Sequence, residues 1–350
     1  MKGKNELSEL AERVYHRMVD KMSSDWGMNI DSWDWVPGVG VISILAYGQL
    51  MNNHEATEYL LQWTVRNKHM SEQVNVINSM APYAIFPDLY RMSGERWYLE
   101  TAITIGDWML TEAPRTREGA FEHTVTENVH FSEQVWADTL FMAVLFLARL
   151  AKLTGDRKYA IEAEFQLLVH LRLLQDAPTG VLFHGWNCAE KNHMSSARWT
   201  RANAWVILAS PWIVEEIGST TPFSDEIVER YQQLASGLRH YQGKDGMWST
   251  VMDQPEFYAE TSGSAGIAAG WLAGMRLGWL DDSYKEAVDL TVQGVIERID
   301  RDGTALGVSG GTPVMPSISA YEEIPCIPTL YGQGLVLILL SLANAEWSSL

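Results

Sequence analysis

An all-α fold, an (α/α)6 barrel of six helical hairpins, is what this 350-residue sequence predicts. Three observations carry the prediction. Helical periodicity dominates and alternating strands are scarce. Twelve candidate helices alternate between two kinds along the chain. The joints between them resemble one another at a spacing of roughly 60 residues, the mark of repeated helix pairs.

The candidate helices run over 5–23, 37–52, 55–68, 76–93, 96–112, 133–154, 157–175, 200–217, 223–242, 260–278, 282–299 and 329–346. Those starting near 5, 55, 96, 157, 223 and 282 are charged on one face, as in ELSELAERVYHRMVDKM and SYKEAVDLTVQGVIERID. Those starting near 37, 76, 133, 200, 260 and 329 are apolar or rich in small residues, as in SAGIAAGWLAGMRLGWL and GQGLVLILLSLANA. A helix apolar on most sides is buried on most sides, so the second set forms an inner wall and the first an outer ring. The joints LYRMSGERWYLETA, LARLAKLTGDRKYAIEA and AGMRLGWLDDSYKEA share one pattern: an apolar helix ends at or near Gly, which supplies the left-handed C-terminal residue. An open solenoid satisfies the same repeat, but six pairs with one buried helix each suit a closed barrel better. The remaining connections, 24–36, 113–132, 176–199, 243–259 and 300–328, are long, and each leads into the start of an inner helix. In a barrel they gather at one end, where the positive helix N-termini favour an anionic ligand. No Pro- or Ser-rich linker divides the chain, so residues 1–350 read as one domain.

Composition is that of a soluble globular protein, 47% hydrophobic and 20% charged, with an unusual fifteen tryptophans that suit either sugar rings or a large core. A net charge of −18 argues against nucleic acid and anionic membrane surfaces as partners. Two cysteines, Cys188 and Cys326, are too few for a disulfide framework and fit a reducing compartment. The opening MKGKNELSELAERVYHRM has no apolar signal region, and the uncharged run 324–345 is broken by Pro325, Pro328, Gly332 and Gly334, short of the ~20 apolar residues a span needs. The expectation is a soluble, cytoplasmic protein. His184 and His193 with Cys188 between them match no zinc spacing. Neither a phosphate-binding Gly loop nor a nucleophile elbow is present, so no cofactor is expected.

The stretch Ser132–Asp156 holds the strongest chemical signal. Between Glu133 and Arg149 its single formal charge is Asp138, set among Val135, Trp136, Leu140 and Phe141. A carboxylate there costs several kcal/mol unless it is paired, hydrogen-bonded or facing a wet cavity. Asp138 is therefore either a satisfied structural group or a site residue, and the residues alone leave both open. Polar and aromatic residues cluster in the long loops and first helical turns: Trp33-Asp34-Trp35, His123 and His130, His184-Gly185-Trp186, then Trp199, Arg201, Asn203 and Trp205 in RWTRANAW, Tyr258-Glu260-Thr261-Ser262, and Tyr331-Gly332-Gln333-Gly334. Trp136 and Trp205 read as core more readily than as platforms, whereas Trp33 and Trp35 fit either role. His123 reads as a surface or capping group, and His184 as a ligand contact. Arg201 suits a structural partnership with Asp138 or Glu260, or a clamp on a substrate carboxylate, for which its planar fork is fitted.

At these residues the chain resembles glycoside hydrolase family 105, the unsaturated rhamnogalacturonyl hydrolases, and more remotely is similar to the family 88 unsaturated glucuronyl hydrolases. WADTLFMAVLFLARLAKLTGD, HGW, the WxRxNxW of 199–205, the YxExSxSA of 258–265, VSGGT at 308–312 and the late GQG match in order, from Trp33 to Leu342. The resemblance implies the six-hairpin glycosidase type of barrel and removal of a terminal 4,5-unsaturated uronic acid from an oligosaccharide, most directly unsaturated galacturonyl from rhamnogalacturonan in pectin breakdown. It implies hydration of the C4=C5 bond, with Asp138 first donating a proton to C4 and then activating water for C5, without metal or separate nucleophile. A carboxyl among apolar neighbours is expected to have a raised pKa that holds this proton near neutral pH. Trp33, Trp35, Asn78, His184, Trp199, Arg201 and Tyr331 are the substrate contacts so implied. The chain departs from the pattern in WTRANAW, where Thr200, Ala202 and Ala204 replace the glycines of WGRGNGW and narrow the cleft, and at Asn75 and Asn78, where some relatives carry an Asp. The alternatives are an unsaturated glucuronyl hydrolase, a hydrolase of saturated glycans on the same barrel, and a non-catalytic sugar-binding barrel in which Asp138 braces Arg201.

Overall fold

The computed structural model describes residues 4–20, 23, 25–71, 76–126 and 131–346; Asn75 and His130 lie outside these. Twelve α-helices appear among the described residues: α1 (Lys4–Val19), α2 (Trp35–Met51), α3 (His54–Ser71), α4 (Phe86–Ser93), α5 (Arg96–Thr111), α6 (Leu145–Thr154), α7 (Arg157–Leu174), α8 (Thr200–Ile217), α9 (Asp225–Tyr241), α10 (Thr261–Arg276), α11 (Lys285–Ile296) and α12 (Leu330–Glu346). Apolar patterning sorts them as the sequence predicts. α2 carries no charge, and thirteen consecutive residues from Val36 to Gly48 are buried. α1 instead buries one stripe, Leu7, Leu10, Ala11, Val14 and Met18, at helical spacing.

The apolar elements form a ring. α2 packs against the turn of 3-10 helix Ile77–Ile85 that leads into α4; next come α6, α8, α10 and α12, and α12 returns to α2. α3, α5, α7, α9 and α11 lie outside, and α1 covers α12 and closes the outer layer. The expected joints are realised at Gly94 and Gly155, which end α4 and α6 with φ of 70° and 69°. One continuous apolar core fills the space between the layers. No described helix is long and apolar enough to cross a membrane.

Two local departures position the site. The second inner element opens as a 3-10 turn because Pro82 lacks a donor within it, and it becomes α-helical only at Phe86. The helix expected over 133–154 begins later than its apolar pattern suggests. Gln134–Trp136 is a short strand, β1, antiparallel to β2 (Gly185–Asn187), with Val135 opposite Trp186 and Trp136 opposite Gly185. The ladder continues through Ala137 N–H, which donates to His184 O at 3.1 Å. A π-helical turn, Leu140–Val144, then leads into α6. Asp138 therefore stands on a strand-to-helix turn, at a distortion of the kind that recurs at functional sites.

Candidate active site

The long loops converge where the inner helices begin, and they enclose a cavity of about 280 Å³ lined by Trp26, Trp35, Asn78, His123, Trp136, Asp138, Trp199, Arg201 and the 311–313 turn, among others. That volume is at the low end for small-ligand sites, about 300–1,000 Å³, so it accommodates one sugar ring rather than a chain. Two larger clefts lie elsewhere, one beside Thr179 and α9 and one between Ser71 and Trp108. Neither contains a buried polar side-chain atom without a partner, whereas the cavity wall holds three, Asn78 Oδ1, His123 Nδ1 and Trp199 Nε1, with no hydrogen-bond partner among the described residues, beside Asp138 Oδ2 and His184 Nε2, which face each other at 3.5 Å. A buried polar atom left open costs about 1–3 kcal/mol, and a hydroxyl-rich ligand relieves that cost.

Asp138 is 8% exposed, and its Oδ2 lies 3.5 Å from His184 Nε2. His184 is fully enclosed and does not itself line the cavity, so its expected role as a direct contact becomes that of Asp138's backing partner. His184 Nδ1 is 2.7 Å from the Tyr321 hydroxyl, which already accepts from Met315 N–H at 3.2 Å. That arrangement leaves the tyrosine proton for Nδ1, so the neutral ring carries its hydrogen on Nε2, facing Asp138; the tautomer is assigned from this network. Burial pushes the His184 ring below its ordinary pKa despite Asp138.

The Asp138 carboxyl corrects an expectation. Burial does raise it, but His184, then His123 and Arg201, outweigh burial and hold it below the usual carboxylate range. The apolar sequence neighbours Leu140 and Phe141 pack into the barrel wall, while the groups facing the carboxyl are donors and a cation. In the empty cleft Asp138 is ionised at neutral pH.

Arg201 is 1% exposed and lies between the rings of Trp199 and Tyr331, 4.4 and 4.6 Å from their centroids. Its guanidinium donates to Glu260 Oε1 (3.3 Å), Ser262 Oγ (3.3 Å), Ser309 O (3.0 Å), the Ser309 hydroxyl, Gly310 O (2.9 Å) and Thr312 Oγ1 (3.3 Å). Glu260 is thus its structural partner, not Asp138, and a fork so committed is a brace for the VSGGT turn more than a free clamp. Its charge still reaches the cavity wall. Tyr331 is also a backing residue: it is fully buried, donates to Ser309 O at 2.8 Å and stacks under Trp35 at 5.2 Å.

Trp33 does not reach the cavity. It stacks on Trp63 at 5.4 Å and meets Tyr83 and Phe86 edge-on, because the turn before α2 sends alternate tryptophans to opposite sides and only Trp35 faces the site. Trp35, Asn78 and Trp199 line the cavity. Trp136 does so too, against its reading as core, while Trp205 is core. His123 is no surface cap. It is buried, stacks on Trp136 at 3.8 Å and 13°, and burial pushes its pKa down to about 3. Trp26, Val125, Phe131 and Pro313 were not singled out in the sequence; their one signal is membership of long loops feeding inner helices. Asp34 joins the parts, accepting from Trp35 N, Ser79 Oγ and Thr126 Oγ1 at 2.7, 2.8 and 2.5 Å. Among the described residues no three His, Cys, Asp or Glu side chains are grouped to hold a metal.

A closed ring of six inner helical elements with a carboxylate-centred, ring-sized cavity at one end defines a glycoside hydrolase of the six-hairpin type, and relatives of known structure share that architecture. The family model described as Glycosyl Hydrolase Family 88 matches residues 9–344, and the chain belongs to that family. It is 31% identical over 312 residues to the unsaturated rhamnogalacturonyl hydrolase YesR of Bacillus subtilis (strain 168), covering 89% of each chain. A possible member of the GH105 family from Salmonella enterica serovar Paratyphi A superposes with a TM-score of 0.94 at 26% identity, over 99% of this chain and 96% of that one. The unsaturated glucuronyl hydrolase of Bacillus sp. GL1 shares the fold at a TM-score of 0.75 and 18% identity, over 97% and 96%. The motif resemblance to family 105, with family 88 glucuronyl hydrolases further off, agrees with these likenesses.

Proposed function

We propose that this glycoside hydrolase removes a terminal 4,5-unsaturated uronic acid from an oligosaccharide, in the first instance unsaturated galacturonyl from rhamnogalacturonan fragments. The observation that carries the reading is Asp138, a nearly buried carboxylate backed by a neutral histidine in a cavity the size of one ring. In the empty site Asp138 is ionised. The uronate carboxylate brings a second negative charge and its ring displaces water; both raise the Asp138 pKa, so proton uptake accompanies binding. Asp138 then gives its proton to C4, and positive charge develops at C5 beside the ring oxygen. Water adds to C5 as its proton passes to Asp138, which restores the acid. The C5 hemiketal opens, and the C1 hemiacetal expels the remaining sugar as an alcohol, so one water is consumed overall. Trp35, Asn78 and Trp199 hold the ring, and Arg201 supplies positive potential through the wall.

The relatives' names support this substrate class. The unpaired Cys188 and Cys326 fit the reducing cytoplasm and action on fragments made by pectin lyases, and the continuous core fits a single domain over 1–350. The test is loss of the conjugated double bond's absorbance on a lyase-generated unsaturated disaccharide. Wild type consumes it, and Asp138→Asn lowers kcat by about 10²–10⁴-fold, the range of general acid–base catalysis, with KM nearly unchanged. Wild-type inactivity on every unsaturated uronide overturns the function. Full activity of Asp138→Asn overturns the mechanism.

A further inference from the structure

We propose that Arg198 is a positioning residue for the reaction: from behind the cavity wall it holds Trp199 against the ring site and His184 against Asp138. The inference rests on the reading of Asp138 as the proton donor and Trp199 as a ring contact. Arg198 does not itself line the cavity. No hydrogen bond of its own fixes the Trp199 indole, whose Nε1 has no partner among the described residues. The backbone beside it therefore sets where that ring stands.

Two stretches of chain run side by side behind the wall. His184 N–H donates to Ala197 O at 2.9 Å and His184 O accepts from Ala137 N–H at 3.1 Å, so residues 183–184 lie between the backbone that leads to Asp138 and residues 197–199. Successive side chains of extended backbone point to opposite faces. His184 and Trp199 meet on one face, with ring centroids 4.2 Å apart. Their neighbours Phe183 and Arg198 meet on the other, the guanidinium 4.9 Å from the Phe183 ring centroid. The outer pair thereby fixes the setting of the inner one.

Both arms of the Arg198 fork are anchored. Nη2 donates to Asp176 Oδ2 at 2.7 Å and Nη1 to Asp253 Oδ2 at 2.6 Å. Asp176 opens the loop that carries His184, and Asp253 lies in the loop before α10, so one guanidinium ties three segments together. The backbone follows on either side of Trp199: Arg198 O accepts from Met252 N–H at 3.1 Å, and Thr200 N–H donates to Thr250 O at 2.9 Å. The Arg198, Asp176 and Asp253 side chains are 22%, 12% and 21% exposed, and pairs so far out of water are harder to lose than surface pairs. Without the cation, two carboxylates face each other and push apart the loops that flank His184 and Trp199.

Two readouts test the inference, and one of them needs no turnover. Arg198→Met keeps a side chain over Phe183 but loses the fork, and its kcat/KM on the unsaturated disaccharide is expected to fall about ten- to a hundredfold, the scale of a small misplacement at a catalytic centre. With isotope-labelled Asp carboxyls followed by NMR in the free protein, Asp138 is expected to titrate at higher pH than in wild type, because His184 no longer holds it down. The other groups acting on that carboxyl, His123 and Arg201, are unaltered, and Arg198 is not one of them. Arg198→Lys keeps the charge but engages as a point charge rather than a fork; it falls between the two, and reads the same shift should the Met variant not fold. Arg230→Met loses a half-buried pair to Glu226, 2.7 Å away, outside the cavity; it lowers the urea midpoint and moves neither readout. An unmoved Asp138 titration in the Arg198 variants overturns the positioning role, whatever their activity. Wild type inert on every unsaturated uronide overturns the hydrolase reading instead, while a shifted titration still upholds the hold of Arg198 on His184.

Discussion

Asp138 and His184 meet because the β1–β2 ladder runs on past Trp136, placing the two side chains on the same side of a backbone hydrogen bond. The imidazole holds the carboxyl down, and Tyr321 holds the imidazole. Replacing His184 with Phe removes the largest opposing influence and leaves the effect of burial. The limb of the kcat/KM–pH profile that reports Asp138 therefore moves to higher pH, and a profile with unmoved limbs refutes the coupling. The carboxylate was legible in the sequence as one charge in an apolar run. Its partner was legible only as a histidine in HGW, since nothing local says which loop pairs with which. Arg201 shows the same limit: its fork invites a substrate carboxylate, but Glu260 and Ser309 come from distant loops that only the closed barrel brings to it.

Among the elements, the start of α2 does the most to assemble the site. Asp34 caps α2, binds Ser79 at the opening of the next inner element and binds Thr126 in the loop that carries His123. Asp34→Ala is expected to destabilise the fold by about 1–2 kcal/mol, the scale of a lost N-cap, and to lower kcat/KM because Trp35, Asn78 and His123 lose a common anchor. A shift of the urea midpoint together with steady-state kinetics reads both effects. Helix boundaries here were largely visible, from Gly94 and Gly155 at the joints and from the charge-free run of α2. β1 was not. Val135 and Trp136 continue a helical apolar pattern, and only pairing with β2 makes them a strand. Trp33 and Trp35 were indistinguishable in sequence because which of them faces the core depends on where α2 begins.

On the scale of the whole molecule, the six-pair alternation was readable because the inner elements, the end of α4 apart, are buried nearly all round and the outer helices on one stripe. The size and lining of the cavity were not, because they depend on side chains from five separate segments of the chain at once. Global stability also carries a pH signature. Burial holds His170 near a pKa of about 4 and His123 near about 3. The unfolded chain takes up these protons near 6.5 and the folded chain does not. Their contribution is therefore fully present above about pH 6.5 and is lost as pH falls toward 4 and then 3. Between pH 7 and 5.5 the Tm of the wild type is expected to fall more steeply than that of His170→Gln, and parallel slopes exclude the contribution.

The seam where α1 covers α12 has a consequence in time. Arg17 Nε donates to Thr304 Oγ1 at 2.8 Å across 287 residues of sequence, and α12 must also find α2. During synthesis the early hairpins emerge and pair with their neighbours, yet the open flank of α2 has no cover until the final helix arrives. Closing contacts of such long sequence separation are slow to form. Until α12 docks, the apolar flank of α2 that it covers is expected to face water. Docking of the seventeen residues Leu330–Glu346 between α10 and α2 is therefore expected to be a late and slow step of folding.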